Sequence, residues 1–259
     1  MLESLEQSNI KRMGVENPEK ERSEFDFDPE KELQPDFFEK IERQIDRRFQ
    51  RGDYYETMQG EARLKMIDPD LMPRPISYYD IIAQQAERTT MKCWGVIQAS
   101  YSAKMLDPEF DLERIKKYYP MLIEELRKSP QSVGHLSEVD LMKQVDPNFP
   151  YEISEEEVTI FLKKQDEYNR MKLEAPITHD LVAAIRLNLP IPEEYKKSFF
   201  QYLKERVAYY QKPNHPLVDM SENVLNISSA LKTVSDIYKQ RQDSSHHDQA
   251  QQLPEQKNF

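Results

Sequence analysis

Apolar residues recur at three- and four-residue intervals over most of this chain, the spacing of one face of an α-helix. After Pro35, the residues Phe37, Phe38, Ile41, Ile45 and Phe49 form such a stripe; Asp36 is placed to cap it and Gly52 to end it. Arg43, Arg47 and Arg51 lie along another face of the same helix. A weaker helical pattern covers Tyr54 to Met66. Asp68-Pro69-Asp70-Leu71-Met72-Pro73-Arg74-Pro75 reads as a loop, because three prolines in that space do not fit a helix interior. Ser77 and Asp80 then open what reads as one long helix to Met105. Its second half is apolar nearly all round, as a buried central helix is, and Gly95 beside Trp94 signals close packing or a bend.

Asp107-Pro108 is expected to open the next helix, with Leu112, Ile115, Tyr119, Leu122 and Leu126 as its apolar face and a division near Tyr119 imposed by Pro120. Ser129-Pro130 ends it, and a short amphipathic helix follows from Leu136 to Val145. Ser154 followed by Glu157 is a capping box, the clearest helix start in the chain, and that helix stops before Pro176. A short helix runs from Thr178 to about Asn188. Leu189-Pro190-Ile191-Pro192 is an extended connector, and Glu193 to Gln211 is helical again. In the last helix Leu217, Met220, Val224, Ile227, Leu231, Val234 and Tyr238 alternate by three and four, a coiled-coil seam by pattern.

The expected fold is all-α: an irregular multi-helix domain over residues 35–212, an amphipathic C-terminal helix over 213–240, and disordered termini at 1–34 and 241–259. Four Asp-Pro pairs, at 28–29, 68–69, 107–108 and 146–147, lie 40, 39 and 39 residues apart. Connectors at such intervals suit an array of helical hairpins; evenly spaced helix openers without a repeat fit the same pattern.

Composition sharpens this picture in three ways. Five glycines against seventeen prolines disfavour hairpin turns and sheet. A net charge of -11 disfavours nucleic acid as a general partner. A single cysteine, Cys93, forbids an intrachain disulfide and suits a reducing, cytoplasmic setting. The N-terminus lacks the apolar core of a signal peptide, and no stretch has the roughly 18 apolar residues that span a bilayer.

Candidate chemistry is sparse. No zinc-binding spacing, nucleophile elbow or glycine-rich phosphate loop occurs, so no metal, cofactor or catalytic residue is assigned. His135, His179 and His215 read as surface or capping residues, with His179-Asp180 the one pair arranged like an oriented imidazole. Cys93 reads as an inert buried thiol. Four Tyr-Tyr pairs, at 54–55, 78–79, 118–119 and 209–210, read as core-boundary packing. The function expected is therefore a non-enzymatic adaptor or subunit of a larger assembly. Its partner-binding residues would be Leu217, Met220, Val224, Ile227, Leu231, Val234 and Tyr238, with Phe25 and Phe27 as a short docking motif and Arg43, Arg47 and Arg51 as a face for an acidic partner. The alternatives are an enzyme or effector with an unmarked site in the inter-helix loops, and a nucleic-acid-associated protein using that arginine face.

Overall fold

Caps and breakers place most helix boundaries where the sequence puts them. The computed structural model describes residues 25–130, 132, 134–171, 177–212 and 221–251, which form twelve helices and no strand. α2 (Phe37–Arg51) ends at Gly52, whose φ of 81° is a left-handed conformation suited to glycine. α7 (Tyr119–Lys128) carries Pro120 in its first turn, where the missing N–H has no partner to lose. α9 (Glu155–Met171) opens on the expected capping box: the Glu157 N–H donates to Ser154 Oγ at 3.2 Å, and the Ser154 N–H donates back to Glu157 Oε2 at 2.6 Å.

One long helix expected from sequence is instead two. α4 (Tyr78–Ala86) and α5 (Lys92–Leu106) are separated by a turn that ends in Met91 at φ 53°. Thr89 and Thr90 stand where the chain turns, and threonine is a weak helix former. The two halves then pack together, and a Cβ on Gly95 would come within 2.8 Å of Gln85 Oε1. Gly95 therefore marks close packing.

Asp107-Pro108 also acts differently from the expectation. It closes α5 rather than opening a helix, and α6 (Glu113–Lys116) starts later. The same turn ends α3 (Tyr54–Ile67) at Asp68 and α8 (His135–Val145) at Asp146. In each case the aspartate N–H bonds the carbonyl four residues back, at 2.8–2.9 Å, and its Oδ1 accepts the N–H two residues on, at 2.9–3.3 Å. Its carbonyl accepts the N–H three residues on, from Leu71, Phe110 and Phe149, and those three side chains are buried. Proline in between has no N–H to satisfy, so the turn leaves few polar groups orphaned. The strings that carry it, Leu-Lys-Met-Ile-Asp-Pro-Asp-Leu, Ala-Lys-Met-Leu-Asp-Pro-Glu-Phe and Met-Lys-Gln-Val-Asp-Pro-Asn-Phe, end at residues 71, 110 and 149. Asp28-Pro29 is different: it opens α1 (Pro29–Glu32).

The remaining helices are α10 (Ile177–Arg186), α11 (Glu193–Tyr210) and α12 (Ser221–Gln251). α3 packs on α5, α5 on α8, α8 on α10, α10 on α12, and α12 back on α3. Five inner helices thus close a ring. Each follows an outer helix in the chain, and α2, α4 and α11 pack against the inner helices they precede. The apolar core falls into two clusters, one around α2, α10, α11 and α12, the other around α4, α5, α7 and α8.

Ring closure corrects the reading of the C-terminal helix. Val224, Leu231 and Val234 are buried at 2%, 0% and 0% exposure, and Ile227 and Tyr238 pack half-buried on the same cluster. Leu217 and Met220 lie outside the described residues. α12 touches α2, α3, α10 and α11, so the apolar stripe is spent inside its own chain. Ser228, Ser229, Thr233 and Ser235 are buried too, which leaves the helix enclosed on several sides rather than amphipathic. It also continues through Gln251, into the stretch expected to be disordered.

The end of the N-terminal arm is likewise part of the core. Phe25 stacks on Tyr238 with ring centroids 3.6 Å apart, and the Phe27 N–H donates to Ser235 Oγ at 3.3 Å. Both phenylalanines are buried and unavailable as an exposed docking motif. An aromatic pair among acids looks alike in sequence whether it docks on a partner or on its own chain.

Candidate functional site

A ring of helices has an axis, and here each inner helix turns at least one polar residue toward it, among apolar ones. One cavity of about 90 Å³ is lined by all five inner helices. α3 contributes Arg63 and Met66, and α5 contributes Trp94, Gln98 and Tyr101. α8 supplies Ser137, Asp140 and Leu141; α10 supplies His179, Val182 and Arg186; α12 supplies Ser229, Ala230 and Thr233. On each helix these positions are one to four residues apart, so each presents a single face. The 39-residue period extends into the cavity. Tyr101, Asp140 and His179 occupy equivalent places on consecutive inner helices, as do Gln98 and Ser137.

The charges in the cavity are unequally matched. Asp140 is buried and accepts from Arg186 Nη1 at 2.5 Å and from Gln144 Nε2 at 2.9 Å. Burial pushes its carboxyl up to about 6, against the pull of Arg186. Arg63 has no hydrogen-bond or ion-pair partner among the described residues. Burial lowers its pKa, and the strongest opposing pull comes from Glu222, which is itself bonded to Arg48 Nη2 at 2.7 Å. His179 lines the cavity and is exposed to solvent, yet the surrounding protein, and then Arg63, hold its pKa below the ordinary value. Tyr101 points its hydroxyl at Met66 Sδ, 3.9 Å away, and burial raises its pKa.

Asp180 does not orient His179. Its carboxylate accepts the N–H groups of Gly134 and Ser137, at 2.8 and 2.9 Å, and so caps α8 from the neighbouring helix. A second polar cluster joins α8 to α9. His135 is buried, with Nε2 2.7 Å from Glu157 Oε1, which also accepts the Tyr151 hydroxyl at 2.7 Å. Burial raises the Glu157 pKa, but bonds from Ser154, Tyr151 and His135 outweigh it and hold the carboxyl near 2. A cavity of about 290 Å³ adjoins it, lined by Tyr151, Ser154 and Glu157 of the cluster together with Arg127, Glu152 and Glu156. His135 is thus a structural residue. Its position at the start of α8 hinted at capping, and its partner Glu157, on another helix, was legible only as part of the cap of α9.

The other residues expected to act fall as follows. Arg43, Arg47 and Arg51 are exposed along α2, and Arg43 pairs with Glu39. Asp46 pairs instead with Arg74, at 2.6 Å, in a bridge that also reaches the fully buried Glu61. Of the tyrosine pairs, Tyr54 and Tyr209 are exposed at 47% and 40%, while Tyr119 is buried and donates to Asp146 Oδ2 at 2.8 Å. Among the described residues no group of three or more His, Cys, Asp and Glu side chains is placed to hold a metal ion. No helix there is long and apolar enough to cross a membrane.

Cys93 is half-buried, and burial pushes its thiol up to about 12. The thiolate is the reactive form, so alkylation at pH 8 is expected to be at least about tenfold slower than for an unfolded-chain cysteine. Mass spectrometry of iodoacetamide-treated protein checks this, and labelling at the unfolded rate would contradict it.

Arg63, Trp94, Tyr101, Asp140, His179 and Arg186 were not assembled by sequence reasoning. The signal available was the 39-residue period carried through the helices rather than through the Asp-Pro turns alone. Compared with known proteins, the chain matches no family model, no curated protein and no solved structure.

Proposed function

We propose that this chain binds a small molecule at the axis of its helical ring. The observation that supports this most is the convergence of polar side chains from all five inner helices on one water-accessible cavity. An axis filled with leucine and valine would stabilise the ring further, because each large buried apolar side chain contributes roughly 1.5–3 kcal/mol. Polar groups in the same place cost free energy unless they find partners. A cavity with Arg63 unpaired is therefore poor design for a purely structural ring and good design for a site.

Binding, without a chemical step, is the reading adopted. Among the described residues no hydroxyl or thiol is hydrogen-bonded to His179, the one imidazole in the cavity. An adaptor role through the C-terminal helix draws no support from α12, whose stripe is occupied within the chain. The exposed arginines of α2 alternate with Glu39, Glu42 and Asp46, a mixed surface rather than a basic one.

The chain contains one tryptophan, and it lines the cavity. Trp94 fluorescence is thus a direct reporter of occupancy. Titration of the full chain with a panel of small acids, amines and neutral compounds is expected to give saturable changes in emission for at least one class. The same compounds should raise the melting temperature, since ligand at 100 times Kd adds about 2.7 kcal/mol. A flat Trp94 response and an unmoved melting temperature across the panel would remove this reading.

A further inference from the structure

Building on that reading, we infer that the guest is a small oxyanion, a carboxylate or phosphoryl group, gripped by Arg63 with His179 beside it. The argument begins with charge. Four lining residues carry or titrate a charge near neutrality: Arg63 from α3, Asp140 from α8, and His179 and Arg186 from α10. Asp140 is committed to Arg186 at 2.5 Å, which leaves that pair neutral as a unit. Tyr101 from α5 stays protonated, and α12 offers the cavity only Ser229, Ala230 and Thr233. Asp180, next to His179 in sequence, is turned away to cap α8. One cation, Arg63, is left with no bonded counter-charge among the described residues, because Glu222, the carboxylate that pulls on it most, is bonded to Arg48.

A guanidinium held partly out of water wants a planar, bidentate acceptor, and carboxylates and phosphates supply one. The hydroxyl of Thr233 and the amide of Gln98 are neutral donors that suit the same guest, while the Ser229 hydroxyl already donates to the Asn226 carbonyl at 2.9 Å. Size sets a further limit. A cavity of about 90 Å³ is roughly three times the share of one water in the liquid, so only a small head group enters, flanked by Met66 and Trp94. Any larger remainder of the ligand has to lie toward the solvent-exposed side, where His179 stands.

Binding should also take up a proton. An oxyanion beside His179 favours the imidazolium that the free protein disfavours, so the histidine pKa rises in the complex. Affinity therefore falls as pH rises through the titration of His179. The neighbouring groups do not reverse that sign, because Arg63 and Arg186 stay charged and Asp140 is already paired.

The test uses the full chain and Trp94 emission, with inorganic phosphate, acetate and benzoate as acidic probes and acetamide and benzamide as their neutral counterparts. The acids are expected to bind at least about tenfold more tightly than the amides. Phosphate against the carboxylates separates the two oxyanion sources. Arg63→Gln should weaken the acids at least about tenfold while Arg63→Lys retains part of the affinity. His179→Gln should leave benzoate binding near its value at high pH and flatten the roughly threefold or greater rise expected on acidification. Amides that bind as tightly as the acids in the unmodified protein would overturn the oxyanion assignment and leave the axial site standing. Absence of any Trp94 response would remove both. Undiminished binding by a folded Arg63→Gln protein would also overturn it.

Discussion

A chain ended before Ser221 is expected to lose its cooperative unfolding transition altogether. α12 is the member that closes the ring, seated between α3 and α10 with α2 and α11 outside it. Its Val224, Leu225, Leu231 and Val234 are each no more than 2% exposed. Four such side chains contribute roughly 6–12 kcal/mol at 1.5–3 kcal/mol each, against a typical domain stability of about 5–15 kcal/mol. The truncation also strips cover from Phe25 and Phe27, which rest on Tyr238 and Ser235. Thermal unfolding followed by circular dichroism checks this. A sharp melt in the shortened chain would mean that the ring is stable while open. Leu231→Asp makes the same point in the full-length chain, because it buries a carboxylate at a position with 0% exposure and no partner.

Glu157→Ala is expected to cost about 3–5 kcal/mol, the second largest effect of a defined change. The carboxylate accepts from the Ser154 N–H and hydroxyl, the Tyr151 hydroxyl and His135. Its removal strips the cap of α9 and leaves His135, 3% exposed, with no partner on either ring nitrogen. The effect has a pH signature. The folded pKa of Glu157 lies near 2, below the ordinary 4.5, so its contribution is present above 4.5 and disappears as pH falls toward 2. Asp140 and Glu138 run the other way. Burial raises them to about 6 and about 7, so they penalise the fold at high pH, and the penalty fades as pH falls toward their ordinary values. Stability should therefore peak on the acid side of neutrality and drop steeply below about pH 4. In Glu157→Ala the acid limb should flatten. Denaturant unfolding across pH 3 to 8 measures both limbs, and an unchanged acid limb in the variant would contradict the network.

The two effects differ in how far sequence foretold them. Ser154 and Glu157 stand three apart before an apolar run, and that local spacing is enough to specify a helix start. Nothing local says that Tyr151 and His135 complete the same carboxylate, because His135 arrives from another helix. The break between α4 and α5 was hidden for a related reason. Thr89-Thr90 is a weak breaker, and only the packing of one half against the other decides that the chain turns there. The Asp-Pro turns were visible as even spacing, yet their role as helix exits needed the backbone: Asp68, Asp107 and Asp146 close α3, α5 and α8.

Sequence by itself determined that the protein is helical, where most helices begin and end, and that no familiar catalytic or metal motif is present. Those properties depend on neighbours within four residues, through capping, proline geometry and the 3.6-residue period. Only the tertiary structure decided that the last helix returns to touch α3. The stripe Val224, Ile227, Leu231, Val234 is the same whether its partner is another molecule or the far side of its own ring, since burial is non-directional and carries no label for who supplies the covering surface. The axial cavity follows from that closure. Arg63, Trp94, Tyr101, Asp140, His179 and Arg186 are scattered across 124 positions of chain, and they become neighbours only when five helices share one axis.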